Sequence, residues 1–208
     1  MKTEILSADH PEAMPRALDI LRSGGLVAMP TDTVYGLGAL AFSQAAAEAI
    51  YEVKGRPAEK AIPVLLGVVE DMVRVALDVP AIAARLAARF WPGPLTLVVP
   101  RHPDIPEAVS ALPTVGVRIP DHSVARSLLR LAGPMAVTSA NRSGAASPSS
   151  AQEVDDQLGG KVALIIDGGR TPGGMPSTVV DCVGAEPHIL RQGPITKDEI
   201  LSALGRIL

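Results

Sequence analysis

From residue 11 to 22, apolar side chains fall at Ala13, Ala17, Leu18 and Leu21, close to the three-and-four spacing that turns one helical face toward a core. Gly24-Gly25 ends that helix, and the apolar run LVAMP behind it predicts a short buried strand. Ser43 is placed to cap a second helix through Val53, which Gly55 and Pro57 stop. IPVLLG reads as a strand. Two helical stretches follow, over 69–77 and 81–90, and WPGP breaks the second.

The β-branched runs LTLVVP and VGVRIP predict strands. Asp121 or Ser123 opens a helix through Leu131, closed by Gly133. MAVTSA is a strand and NRSGAASPSS a polar loop. Ser150 and Glu153 have capping-box spacing for a short helix. VALIIDGG predicts a strand entering the glycine-rich loop GGRTPGGMPS, STVVDCV and HILRQG predict two more, and the Thr196/Glu199 capping box opens a terminal helix. Strands and helices alternate along most of the chain, with two strand-to-strand links near the end. That pattern predicts an α/β fold with a mixed sheet, and 1–208 as one domain.

Composition narrows the chemistry. The chain has 208 residues, 47% of them hydrophobic and only 2% aromatic, so the core must be aliphatic. The formal net charge of −3 is not the basic footprint of sequence-independent nucleic-acid binding. The single cysteine, Cys182, sits in the apolar run TVVDCVG and reads as a small buried side chain. No apolar run reaches the roughly 18 residues that span a bilayer, and the N-terminus has no signal-peptide core. A cytoplasmic protein without membrane contact is expected.

Several segments carry candidate chemistry. MPTDTVYGLG places two threonines, an aspartate and a tyrosine between an apolar run and two glycines. Gly36 to Ala41 fits G-x-G-x-x-A, but six residues, Pro30 to Tyr35, separate it from the preceding strand. A dinucleotide fingerprint needs the first glycine directly after the strand, so tight turning or close backbone packing explains these glycines better. No P-loop pattern is present. Lys54, Arg56 and Lys60 surround a helix end. They could complement the helix dipole or clamp phosphates. Thr138, Ser139, Asn141 and Ser143 follow a strand, where ligands sit in open α/β sheets, though such residues also suit plain turns. Arg118, inside VGVRIP, needs either a bound carboxylate or an internal acid, and Arg191 repeats the pattern in HILRQG. There is no G-x-S-x-G, no H-E-x-x-H and no metal-ligand spacing among the four histidines. Catalysis would then come from positioning and charge stabilisation.

Taken in order, GGLVAMPTDTVYGLG, KGRP, WPGPLTLVV, VGVRIPDH, TSANRSG, STVVD and ILRQG resemble the YrdC-type family of threonylcarbamoyl-AMP synthases, over about 24–193. The pairing of Lys54-x-Arg56 with Ser139-x-Asn141, after PTDT-x-YGLG, is specific to that family. The resemblance is to its short form, without the C-terminal extension of longer members. Ala61 and Ser123 depart from a proline common in relatives, and neither change removes a polar contact.

The resemblance implies an open twisted α/β sheet with helices around a deep, basic cleft. It also implies a reaction: L-threonine, bicarbonate and ATP give threonylcarbamoyl-AMP and pyrophosphate, with magnesium expected to bridge the triphosphate, although the sequence shows no dedicated carboxylate cage for it. A separate transferase complex would move the group to adenosine 37 of tRNAs that read codons beginning with A. By the same resemblance, Thr33, Arg118, Ser139 and Ser177 would bind threonine, with Arg118 on its carboxylate. Lys54, Arg56, Lys60, Asn141, Ser149 and Arg191 would surround ATP, with Lys54 and Arg56 catalytic. Asp32 and Tyr35 would shape the turn, and Ser177 and Thr178 could exchange roles. A rival reading is a non-enzymatic binder of double-stranded or structured RNA, against which the acidic balance and few aromatics argue. A carbamoyl-adenylate module of hydrogenase maturation would carry zinc-finger cysteines, which this sequence lacks.

Overall fold

One ten-stranded sheet and seven α-helices organise residues 2–172 and 175–205, the part of the chain that this computed structural model describes. Gly173 and Gly174 of the expected glycine-rich loop lie outside the described residues. In chain order the elements are β1 (Glu4–Ser7), α1 (Ala13–Arg22), β2 (Val27–Met29), β3 (Gly36–Leu40), α2 (Gln44–Lys54), β4 (Val64–Leu65), α3 (Met72–Val75), α4 (Ala81–Phe90), β5 (Leu95–Pro100) and β6 (Thr114–Arg118). They continue with α5 (Ser123–Ala132), β7 (Met135–Ser139), α6 (Ala151–Leu158), β8 (Leu164–Asp167), β9 (Thr178–Asp181), β10 (His188–Arg191) and α7 (Lys197–Ala203). A 3-10 turn, Val69–Asp71, precedes α3.

The sheet order is β1-β8-β2-β3-β7-β4-β6-β5-β9-β10. Parallel pairs (β1/β8, β2/β8, β4/β6, β5/β9) mix with antiparallel ones, as expected. Alternate residues on a strand face opposite sides, and two apolar clusters follow from that. Leu164 and Ile166 join one cluster with α1 and α5. Ile165 joins the other, with α2, α4, α6 and α7. Helices therefore cover both faces of the sheet, but unequally. On the α1/α5 face, the same-side positions of β5, β6 and β9 (Thr96, Val98, Gly116, Arg118 and Val179) are absent from the apolar cluster. They border a cleft instead.

Local chemistry sets most boundaries. Ser43 Oγ accepts from the Ala46 amide at 3.3 Å, which caps α2, and Gly55 ends the helix at φ 60°. Thr196 and Glu199 form both arms of their capping box. At α6 only half the box forms. Ser150 accepts from the Glu153 amide, but the Glu153 carboxylate takes the Ser149 amide at 2.7 Å. Neither Asp121 nor Ser123 caps α5, whose flanking residue is His122.

Two strands had no counterpart in the sequence reading. β1 is a short edge strand of alternating burial. β3 is the GLGAL segment itself. It pairs antiparallel with β7, with Gly36 opposite Ser139. A Cβ on Gly36 would stand 2.6 Å from Val137 Cγ1, so close backbone packing is the reason for glycine there. Because Val is stiff at χ1, Gly36→Ala should destabilise the fold by about 1–3 kcal/mol. A lowered urea midpoint checks this; an unchanged midpoint would count against the close β3–β7 approach.

Candidate functional site

The cleft encloses about 300 Å³. Its floor is the sheet face, because residues two apart on one strand point the same way: Thr96 and Val98 on β5, Gly116 and Arg118 on β6, Val137 and Ser139 on β7, Ser177 and Val179 at β9. Arg118, Ser139 and Arg191 each end a strand. The site thus uses strand ends, as expected, but spreads across the sheet rather than beyond it. Three arginines line it (Arg56, Arg118 and Arg191), with the hydroxyls of Thr31, Thr33, Thr96, Thr138, Ser139 and Ser177, and no carboxylate is among the lining residues. Such a lining suits an anion. A larger hollow of about 590 Å³ beside α4 is walled mainly by Val69, Met72, Ala84, Ala87 and Trp91 and lacks converging hydroxyls.

Arg118 is only 6% exposed. Its Nε donates to the Gly93 carbonyl at 3.0 Å, Nη1 to Thr33 Oγ1 at 3.2 Å, and Nη2 to Asp32 Oδ1. Of the two partners open to a strand arginine, an internal acid is therefore present. Burial, the largest effect, lowers the Arg118 pKa, and Asp32 offsets only part of that. The PTDT turn is folded by Thr31, whose Oγ1 accepts from the amides of Thr33 and Val34 and donates to the Val34 carbonyl at 2.6 Å. Tyr35 points away from the cleft. Its hydroxyl donates to the Gly169 carbonyl at 2.7 Å; burial, then Asp167, push its pKa up to about 12.

Lys54, outside the cleft lining, is 4% exposed. Its ammonium donates to the carbonyls of Ser139 and Asn141 and to Asn141 Oδ1. Three donors are thereby matched by three acceptors of the β7 end. Burial, then the charge of Arg56, lower the Lys54 pKa to about 8. Asn141 Nδ2 donates to the carbonyls of Arg142 and Ala145, both at 2.8 Å, and Asn141 Oδ1 also accepts from Ser139 Oγ. Lys54 and Asn141 thus build the loop, while Arg56 and Ser139 face the cleft. Arg56 is fixed by the carbonyls of Lys60 and Ala61.

Six of the ten expected residues border the cleft: Thr33, Arg56, Arg118, Ser139, Ser177 and Arg191. Lys60 is exposed, and Ser149 bonds with Glu153 and Arg170; neither lines it. Thr178 does not either, since its hydroxyl donates to the Ile195 carbonyl. Sequence reasoning missed Thr96. Its hydroxyl lies 2.8 Å from Ser177 Oγ, which also accepts from Arg191 Nη2 at 3.2 Å. Within LTLVVP a threonine reads only as a β-branched strand former, so nothing in the sequence marked it. Cys182 is buried, and its thiol is pushed up to about 12 by burial and then Asp181, which leaves it unreactive. Among the described residues no helix is long and apolar enough to cross a membrane.

Comparison with known proteins finds clear relatives. The Sua5/YciO/YrdC family model, described as telomere recombination, matches residues 19–193. The threonylcarbamoyl-AMP synthase of Bacillus subtilis is 42% identical over 208 residues, 99% of this chain and 60% of that protein. That of Pyrococcus abyssi is 44% identical, over 92% of this chain and 57% of its own length. The chain therefore spans about three-fifths of these relatives. A structure of Pyrococcus abyssi Sua5 complexed with L-threonine superposes with a TM-score of 0.93 at 41% identity, covering 100% of this chain and 62% of that one. The family match over most of the sequence and the superposition over all of it lead to one assignment: the chain belongs to the Sua5/YciO/YrdC family.

Proposed function

We propose that the protein is an L-threonylcarbamoyladenylate synthase, a nucleotidyltransferase that converts L-threonine, bicarbonate and ATP to threonylcarbamoyl-AMP and pyrophosphate. The observation that carries this reading is a cleft lined by three arginines and six hydroxyl side chains, with no lining carboxylate or cysteine. Relatives named for the activity, and a relative holding L-threonine, support it. The product would pass to a separate transferase complex for tRNA modification.

In this reaction the threonine amine attacks carbon dioxide derived from bicarbonate and loses a proton, giving a carbamate. A carbamate oxygen then attacks the α-phosphorus of ATP in line. The new P–O bond forms as the bond to the β-phosphate oxygen breaks, and pyrophosphate leaves. The nucleophile comes from substrate, so no side chain needs to attack. Thr33, Arg118, Ser139 and Ser177 would hold threonine, with Arg118 on the carboxylate. Arg56 and Arg191 would neutralise phosphate charge from the cleft wall. Lys54 and Asn141 would serve ATP through the β7 loop that they fold, and Lys60 and Ser149 would add contacts from beyond the cleft lining. Magnesium usually takes one or two carboxylates alongside phosphate oxygens. The lining has none, so these residues do not fit a protein-held magnesium, and no step here depends on it.

Pyrophosphate release, measured with ATP and bicarbonate and each amino acid in turn, tests the reading: release should depend on threonine, and release without any amino acid would refute it. Arg56→Ala and Lys54→Ala should each cut turnover by roughly 10²-fold with the fold retained by circular dichroism. Wild-type rates in both would remove the phosphate clamp. Arg118→Ala should weaken threonine binding by about 10–100-fold in calorimetry, the scale of a charged hydrogen bond; unchanged affinity would reject the carboxylate role. The ammonium of Lys54 is charged below about 8 and loses its proton above it. The rate should therefore fall as pH rises through that value, and a rate flat from pH 7 to roughly 9.5 would contradict a charged Lys54 in the working loop.

A further inference from the structure

We propose that Asp32 is a positioning residue for amino-acid capture: it fixes Arg118 so that one N–H on each terminal guanidinium nitrogen is left for a carboxylate. The inference rests on the reading of the cleft as a threonine site.

A guanidinium carries five N–H groups. In Arg118, Nε gives its one to the Gly93 carbonyl, Nη1 gives one to Thr33, and Nη2 gives one to Asp32. One N–H remains on each terminal nitrogen, so two donors are still available to a carboxylate. Two of the three partners, Gly93 and Thr33, are themselves fixed. The Gly93 amide donates to the Ile119 carbonyl at 2.9 Å, so the loop before β5 is tied to the end of β6. Thr33 Oγ1 lies 3.1 Å from Thr31 Oγ1. The side chains of Arg118 and Asp32 are 7% and 12% exposed, so water competes little for the pair.

The plain alternative is that Asp32 only shapes the turn, as aspartates do by bonding nearby backbone amides. Here Thr31 does that work, accepting from the amides of Thr33 and Val34. The Asp32 carboxylate is thereby released for Arg118, and its other oxygen, Oδ2, is buried without a hydrogen-bond partner among the described residues. An unpaired buried carboxylate oxygen is costly and is not what packing alone would select. Asp32 does not itself line the cleft, so it acts through Arg118 and not on substrate.

The test separates geometry from charge. Asp32→Asn keeps an acceptor at the same reach and loses the charge; Asp32→Glu keeps the charge and changes the reach. Threonine-dependent pyrophosphate release is measured for wild type, Asp32→Ala, Asp32→Asn and Asp32→Glu, each checked for folding by thermal melting. The expected result is a threonine KM raised at least tenfold in Asp32→Ala, with the KM for ATP within twofold of wild type. Asp32→Asn should recover to within about threefold, and Asp32→Glu should bind threonine more weakly than Asp32→Asn. Should Asp32→Ala not fold, the comparison of Asn with Glu decides. A wild-type threonine KM in Asp32→Ala or Asp32→Glu, or equal changes in both substrates' KM, overturns the role of Asp32. Loss of threonine dependence in the wild-type protein overturns the reading of the site instead.

Discussion

A cation taken out of water must meet oxygen acceptors at fixed positions, and that requirement organises the loops around the cleft. Arg118 gathers the 30–35 turn, the loop before β5 and the end of β6, segments up to 86 residues apart in sequence. Lys54 does the same elsewhere, joining the end of α2 to the carbonyls of Ser139, which ends β7, and of Asn141, 85 and 87 residues away. Removing either partner set would leave a buried charge uncompensated, which costs far more than an exposed ion pair returns. The polar loops of the site are therefore held by charges that belong to the fold.

The mixed sheet gives these loops their floor. On one face α1 and α5 pack over β8, β2, β3 and part of β7, and the same face over β6, β5 and β9 is left to the cleft. Glycine at 116 keeps that floor low, since a Cβ there would stand 3.1 Å from Thr96 Cγ2. Three arginines and six hydroxyl side chains along the cleft can orient anionic reactants and stabilise charge as it shifts, without supplying the attacking atom.

Much of this was legible in the sequence where one signal dominated. Helical spacing and capping located α1, α2, α4 and α7 to within a residue or two. β-branched runs located β5, β6 and β7. β3 was hidden because Gly36 and Gly38 read as turn punctuation, whereas their role is clearance for Val137 and Met135 on the neighbouring strand. That reason exists only once the pairing is known. Arg118 was conspicuous as a cation among apolar neighbours, yet its acid could not be named, because ion pairing across 86 residues leaves no local pattern. Thr96 left no signal at all. The division of the Lys54, Arg56, Ser139 and Asn141 set into two that fold the loop and two that face the cleft is likewise a matter of tertiary direction, not of spacing.

Attack on the α-phosphate by a carbamylated amino acid is tested most directly by the mass of the nucleotide made from ATP, L-threonine and carbon-13 bicarbonate. Threonylcarbamoyl-AMP carrying a single heavy carbon, formed together with an equal amount of pyrophosphate, is the predicted product. ADP with orthophosphate, or an adenylate without the heavy carbon, would contradict it.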